Sequence, residues 1–268
     1  MIGDRYATYR TIGEGQQGKV KFGTDLVNNK AESIRRHVFI ALREHEFMSL
    51  IDHPNIIKSG QLISDTSKIY IVMEYIDSYD LFGLIRKLGK IPEKDCCKIF
   101  QQIVRAVDYL HKNSIVHKDL KLENILVGKE KQVVKIIDFG YAIIFSHLNK
   151  DVTYYGTLSY SSPEALEEIP HLGPSSDVWS LGVILYTMVA GYKPFKGNSR
   201  SSILKKIKSN PVIYPDHFSA TLIDLLNQIF AVDYSKRVGT SEIQKHSWVN
   251  QTHNYIKENN MLSRMSLQ

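Results

Sequence analysis

Three polar side chains at fixed intervals suggest the chemistry. Within His117-Lys118-Asp119-Leu120-Lys121-Leu122-Glu123-Asn124 an Asp and an Asn lie five positions apart, and Asp138-Phe139-Gly140 places a second carboxylate fourteen positions beyond the Asn. Asp119 has the chemistry to orient a hydroxyl and accept its proton, and Lys121 to neutralise a transferring phosphoryl group. Asn124 and Asp138 supply hard oxygen ligands for magnesium. Taken singly, each residue is equally well explained as a cap or a turn; the whole set at these spacings is not. Upstream, Gly13-Glu14-Gly15-Gln16-Gln17-Gly18 runs into Lys19-Val20. Glycines there let backbone amides approach phosphate oxygens as donors. A dinucleotide fold would need a helix directly after the last glycine, whereas Lys19 to Leu26 reads as strand and turn, so that reading fails.

The elements that must position these groups change character along the chain. Val20 to Phe22, Ile57 to Ile63 and Ile69 to Met73 carry β-branched or alternating patterns, with Asn28-Asn29-Lys30 as a turn. Phe39 to Ile51 suits an amphipathic helix stopped by Asp52-His53-Pro54. Pro92 opens a second helix with Ile99, Phe100, Ile103, Val104, Val107 and Leu110 on one face. Ser175-Ser176-Asp177 is placed to cap an apolar helix, and Ser199 to Ser209 and Ser219 to Phe230 are further helices. The expected fold class is α+β: a strand-rich unit over 1–76, a helical unit over 77–250, and a polar tail over 251–268.

Composition excludes several classes. With 268 residues, 43% hydrophobic and 23% charged, the chain reads as one large or two small globular domains rather than a fibrous or disordered protein. Its two cysteines, Cys96 and Cys97, are adjacent, which excludes a disulfide framework and a cysteine-built zinc cluster. A reducing compartment, cytoplasmic or nuclear, is expected. The net charge of +6 would suit anionic partners; without an aromatic-interleaved basic stretch, nucleic acid is not expected. Met1 to Arg10 is too polar for a signal peptide. The longest apolar run, Val178 to Tyr192, includes Ser180 and Thr187 and falls short of the roughly 18–20 residues of a membrane span.

Together the motifs resemble the eukaryotic protein kinase domain over about residues 8–250. Ser161-Ser162-Pro163-Glu164 stands for the family's Ala-Pro-Glu, 26 positions from Asp138 to Glu164, and Ser176 to Gly182 resembles the helix beneath the catalytic loop. Arg237 matches the arginine that pairs with that glutamate. Asp119-Leu120-Lys121, and Gly156-Thr157 before Tyr160, are the serine/threonine form. Leu122-Glu123-Asn124-Ile125-Leu126, Lys135-Ile136-Ile137-Asp138 and Lys193-Pro194-Phe195 are similar to the calmodulin-dependent and AMP-activated-related kinases, particularly the microtubule-affinity-regulating and fungal cell-polarity branch.

The resemblance implies ATP with Mg2+ bound between two lobes. The glycine loop Gly13 to Val20 would cover the phosphates. Met73 would be the gatekeeper, and the hinge Glu74-Tyr75-Ile76 would pair with adenine. Asp80 would lie near the ribose, with Leu126 also at the nucleotide and Glu44 as the glutamate of the N-lobe helix. Asp80 and Glu123 would favour protein substrates with a basic residue three before the phosphoacceptor. Thr187 replaces a glutamate that would hold a second one. Thr153 matches the threonine phosphorylated by an upstream activating kinase, and that phosphate would face Lys118.

Two positions depart from the family. Fifteen residues after Val20, where the family has a lysine, stands Arg35, and only nine positions separate it from Glu44, about half the family's distance. Arginine keeps the charge but seats phosphate and carboxylate differently. His117-Lys118-Asp119 replaces the commoner His-Arg-Asp, and a lysine cannot grip phosphate bidentately. Two readings therefore stand: an active kinase, and a pseudokinase that binds nucleotide or a partner with little transfer. Ser-Pro-Glu with Arg237 disfavours a small-molecule phosphotransferase of related fold.

Overall fold

The first half of the cleft is an antiparallel sheet built from hairpins. The structure, a computed structural model, describes residues 2, 4–15, 18–37, 41–65, 68–129, 133–146, 156–171, 173–209 and 211–250. β1 (Tyr6–Gly15), β2 (Gly18–Asp25), β3 (Lys30–His37), β4 (Ser59–Asp65) and β5 (Lys68–Glu74) lie in the order β1-β2-β3-β5-β4. The glycine loop closes β1 onto β2, with Gly13 opposite Val20 and Gly15 opposite Gly18. Lys30 is not a turn residue as the sequence suggested: it opens β3 opposite Asp25, and the reversal falls on the preceding residues, where Asn29 takes φ 51°. Asn tolerates that left-handed conformation better than a long side chain does.

α1 (Ala41–Ser49) packs on this sheet through buried Phe47 and Met48. The expected start at Phe39 lies outside the described residues. The helix ends at Ser49, where Leu50 N–H turns back to the Phe47 carbonyl at 3.1 Å. The expected strand from Ile57 begins only at Ser59, because the segment before it is used elsewhere. Ile57 N–H donates to the Ile136 carbonyl (3.0 Å), Ile136 N–H donates to the Asn55 carbonyl (2.9 Å), and the Asn55 amide donates to Val134 O. That stretch stitches the sheet to the rest of the molecule.

Beyond Ile76 the order is β6 (Ser78–Asp80), α2 (Leu81–Leu88), α3 (Glu93–Lys112), β7 (Ile115–Val116), β8 (Ile125–Gly128), β9 (Val134–Ile136), β10 (Ile143–Ile144), α4 (Pro163–Leu166), α5 (Gly173–Ala190), α6 (Arg200–Ser209), α7 (Ala220–Ile229) and α8 (Thr240–Lys245). β6, β8 and β9 form one small sheet, β7 and β10 another. The whole expected apolar face of α3 is buried. α5 is buried almost all round. It begins at Gly173, so Ser175 and Ser176 sit in its first turn rather than capping it, and Asp177 is an interior residue. Glycine is required at two of its contacts: a Cβ on Gly173 would lie 2.8 Å from Val116, and one on Gly182 2.4 Å from Ile229. Cys96 and Cys97 are free and buried. No helix among the described residues is long and apolar enough to cross a membrane.

α4, capped by the Ser162 hydroxyl, presents Glu164 to Arg237. The guanidinium reaches Glu164 Oε1 and Oε2 at 2.5 and 2.9 Å and also donates to the Ser175 and Ala231 carbonyls. Its carbon lies 5.0 Å from the centre of the Trp179 ring. Burial pushes the Glu164 carboxyl up, but the arginine wins and holds it below its ordinary value. With side chains 0% and 2% exposed, neither charge can fall back on water. Arg237→Met should therefore cost about 3–5 kcal/mol by stranding the carboxylate. Adding Glu164→Leu should recover most of that loss in urea denaturation.

Candidate active site

A cavity of about 820 Å³ opens between the five-stranded sheet and the helical part, a size ordinary for a small-molecule site. Val20, Met73, Ile76, Leu126 and Ile137 give it apolar walls, and Asp119, Lys121, Asn124 and Asp138 share the same cavity. The sequence spacing thus translates into proximity for all four polar candidates.

The loop from β7 to β8 is fixed from below. Asp177, in α5, accepts His117 N–H at 2.9 Å, Lys118 N–H at 3.0 Å and the His111 ring at 3.0 Å. Burial pushes this carboxyl up, and the bond to His111, its charge and the loop amide outweigh that and hold it low. Pinned in this way, Lys118 adopts φ 64°, a left-handed conformation that is strained for a lysine. His117 accepts Asp119 N–H at Nδ1 (3.3 Å) and so donates from Nε2 to the Ile137 carbonyl (3.2 Å), joining the loop to the segment before Asp138.

Asp119 is the hub. Its Oδ2 pairs with Lys121 Nζ at 2.5 Å and accepts the Asn124 amide at 3.2 Å, while Oδ1 accepts the Thr157 hydroxyl at 3.2 Å. Because the Asn124 nitrogen also donates to Asp119 O at 2.9 Å, its orientation is fixed and its oxygen remains the atom suited to a hard cation. Asp138 takes φ 69°, with Phe139 fully buried behind it and 4.9 Å from the His117 ring. A carboxylate and an amide oxygen, with no cysteine or histidine in the cavity lining, fit magnesium, and a cleft with apolar walls and a cation at Lys121 fits a nucleotide triphosphate.

The remaining candidates separate. Gly13, Glu14, Gly18, Val20, Glu74, Ile76, Asp80 and Leu126 line the cavity. Lys19 pairs with Glu14 at 2.9 Å on the exposed hairpin. The Asp80 carboxylate caps α2 by accepting Gly83 N–H at 2.7 Å. Arg35 sits on β3 opposite Val20 and Ile71, and Glu44 is buried in the first turn of α1. Gln16, Gln17 and Thr153 lie outside the described residues. Two contacts have no counterpart in the sequence reading. Ser33 lines the cavity and donates to the Glu74 carbonyl at 3.0 Å. Lys135 Nζ lies 2.6 Å from the Glu74 carboxylate, which also accepts Lys58 N–H at 2.7 Å. Neither partner is near in sequence, so only the position of Lys135 beside Asp138 could have drawn notice.

Comparison with known proteins agrees with this geometry. The protein kinase domain family matches residues 6–249, and the chain belongs to that family. It is 33% identical over 93% of its length to protein kinase kin1 of Schizosaccharomyces pombe, covering 31% of that protein. It is 35% identical over 91% of its length to CBL-interacting protein kinase 1 of Oryza sativa subsp. japonica, covering 56% of it. To the probable serine/threonine-protein kinase MARK-A of Dictyostelium discoideum it is 34% identical over 96% of its length, covering 25% of it. The chain thus spans from a quarter to just over half of these relatives. They belong to the branch that the sequence motifs indicated.

Asp177→Asn keeps the size but replaces one of the two acceptor oxygens by an NH2 donor, so one of the two loop N–H groups meets a donor and the charge that holds both is lost. Loss of about 1–3 kcal/mol of local order is expected. By hydrogen exchange, the His117 and Lys118 amides should exchange roughly 10–100-fold faster, while α3 remains protected.

Proposed function

We propose that the chain transfers the γ-phosphoryl group of ATP to serine or threonine hydroxyls of proteins. The observation that carries this reading is the Asp119 carboxylate, held by Lys121, Asn124 and Thr157 in the cavity that Asp138 also lines. Asp119 orients the acceptor hydroxyl and takes its proton. Lys121 faces the charge on the transferring group, and Asn124 and Asp138 hold the cation. Bound magnesium supplies charge neutralisation at the phosphates. The hinge backbone of Glu74 to Ile76 would hold the base with Val20 and Leu126 as apolar walls, and Asp80 would hold the ribose. Residues 1–76 and 77–250 act as the two lobes, with 251–268 as a tail, in a protein of the cytoplasm or nucleus.

Substrates with a basic residue three before the acceptor are favoured by Asp80 and Glu123. Phosphorylation of Thr153 by another kinase adds about −1.5 to −2 charges that Lys118 can meet. In protein from its own cells, Thr153→Ala should reduce turnover at least severalfold. Unchanged turnover would remove the switch.

The second reading, a nucleotide-binding pseudokinase, is favoured by Arg35 and its nine-position separation from Glu44. One experiment separates the two. Turnover on a basic peptide is measured at saturating ATP with magnesium, with Asp138→Ala as blank. Activity above the blank is expected, and Arg35→Lys should raise it, by up to about a hundredfold if the arginine misplaces the phosphates by about 1 Å. A fall on Arg35→Lys would mean this corner is built for arginine. ATP binding without transfer in both proteins would establish the pseudokinase.

A further inference from the structure

Lys193 follows α5 in the segment that leads to α6. Its Nζ donates to the Ser159 hydroxyl at 2.6 Å and stands 4.3 Å from the centre of the Tyr160 ring. Ser159 and Tyr160 form the short turn directly after Thr157, the residue whose hydroxyl touches Asp119. The ammonium therefore sits against the strip of chain that ends at the proposed site of transfer.

Its charge is not neutralised by an ion pair. Among the described residues no carboxylate lies within the 4.0 Å of an ion pair with Lys193. An ammonium has three donor hydrogens; one is spent on a neutral hydroxyl and the ring face takes part of the remaining charge. Burial depresses its ionisation, and Glu123, acting from beyond contact, opposes that. Glu123 is itself engaged, accepting the Tyr160 hydroxyl at 3.5 Å. Thr187, where a carboxylate would hold a substrate cation, is buried and donates to Val183 O at 2.6 Å. Two more cations stand nearby: Lys196 lies 4.7 Å from the Tyr192 ring centre, and Lys206 donates to the Lys196 carbonyl. Three lysines thus stand against Glu123 in this corner, where a strongly basophilic kinase would carry a further carboxylate at position 187.

We infer that Lys193 is a specificity-determining residue that selects an anionic side chain, Asp, Glu or a phosphorylated residue, at one position of the protein substrate. The inference rests on the kinase reading above and narrows its substrate class to bipolar sequences, with a cation for Asp80 and an anion for Lys193. A half-desolvated ammonium rewards an opposite charge and penalises a like one, so the effect is on choice of partner.

The full chain is assayed with ATP and magnesium on serine peptides in which Glu, phosphoserine or Lys is scanned from five residues before the acceptor to five after. At one position Glu or phosphoserine should raise kcat/KM about tenfold over Ala, through KM, and Lys should lower it. The Glu and phosphoserine arms separate an encoded acid from a prior phosphate. Lys193→Glu should reverse the signs at that position alone, and Lys193→Gln should flatten it with the melting temperature unchanged. A profile with no position favouring an anion, or the same profile in Lys193→Glu, would overturn the inference. If the parent transfers no phosphate, the kinase reading has failed by itself. The same reversal is then sought in peptide Kd with ADP bound, where equal affinities for Glu and Lys peptides would overturn the assignment.

Discussion

One carboxylate sealed from water holds the catalytic loop in shape. Asp177 is 1% exposed, and a bare charge there would be prohibitive. It is tolerable because two loop amides and a histidine converge on it. The requirement works in both directions: the carboxylate needs those donors, and the loop that supplies them can adopt only the path that delivers them. That path forces Lys118 into the left-handed region, a cost of order 1–3 kcal/mol, and it turns the next residue, Asp119, toward the cavity. Gly156 completes the arrangement at φ 110°, where a Cβ would come within 2.8 Å of the Lys118 carbonyl. The loop is thus clamped between α5 and the chain that leads to Thr157.

A second buried charge joins β9 to the hinge. Lys135, on β9, is within reach of Glu74 in the hinge and of the Ile56 carbonyl, and its side chain is 9% exposed. This pair ties the sheet that precedes Asp138 to the strand that precedes the hinge. The Glu74 side chain is occupied there, and its backbone is held as well, the N–H donating to the Lys58 carbonyl and the carbonyl accepting the Ser33 hydroxyl. A nucleotide base would therefore meet a hinge already oriented from both sides, which reduces the ordering that binding must impose.

What was legible in the sequence was local. Asp119, Lys121 and Asn124 fall within six residues, so their spacing nearly fixes their geometry. The amphipathic face of α3 was legible because burial repeats with the helical period. Ends of elements were less so. The serines ahead of Asp177 looked like caps, but close packing of Gly173 on Val116 extends α5 past them. Ile57 looked like strand, but its N–H is taken by Ile136, on β9. Of the contacts between residues far apart, Arg237 with Glu164 was reachable only through the family resemblance, and two others left no pattern: Lys135 with Glu74 is 61 positions apart and Lys193 with Ser159 is 34.

The corner around Arg35 shows how an unusual spacing acts physically. β3 ends at His37 and α1 begins at Ala41, so four backbone steps join them. Fully extended, such a link spans at most roughly 14 Å. Glu44 is already in the first turn of α1 and buried, and Arg35 is two residues from the end of β3, in register with Val20 of the glycine loop. A longer link would let α1 swing while β3 stayed fixed. Here the covalent chain itself limits how far the glutamate can move from the strand. The departure from the family at Arg35 and the shortened link fall on the same nine positions, so the sequence change and the tether act on one corner: the short link confines Glu44 to a narrow range of positions relative to the strand that carries residue 35.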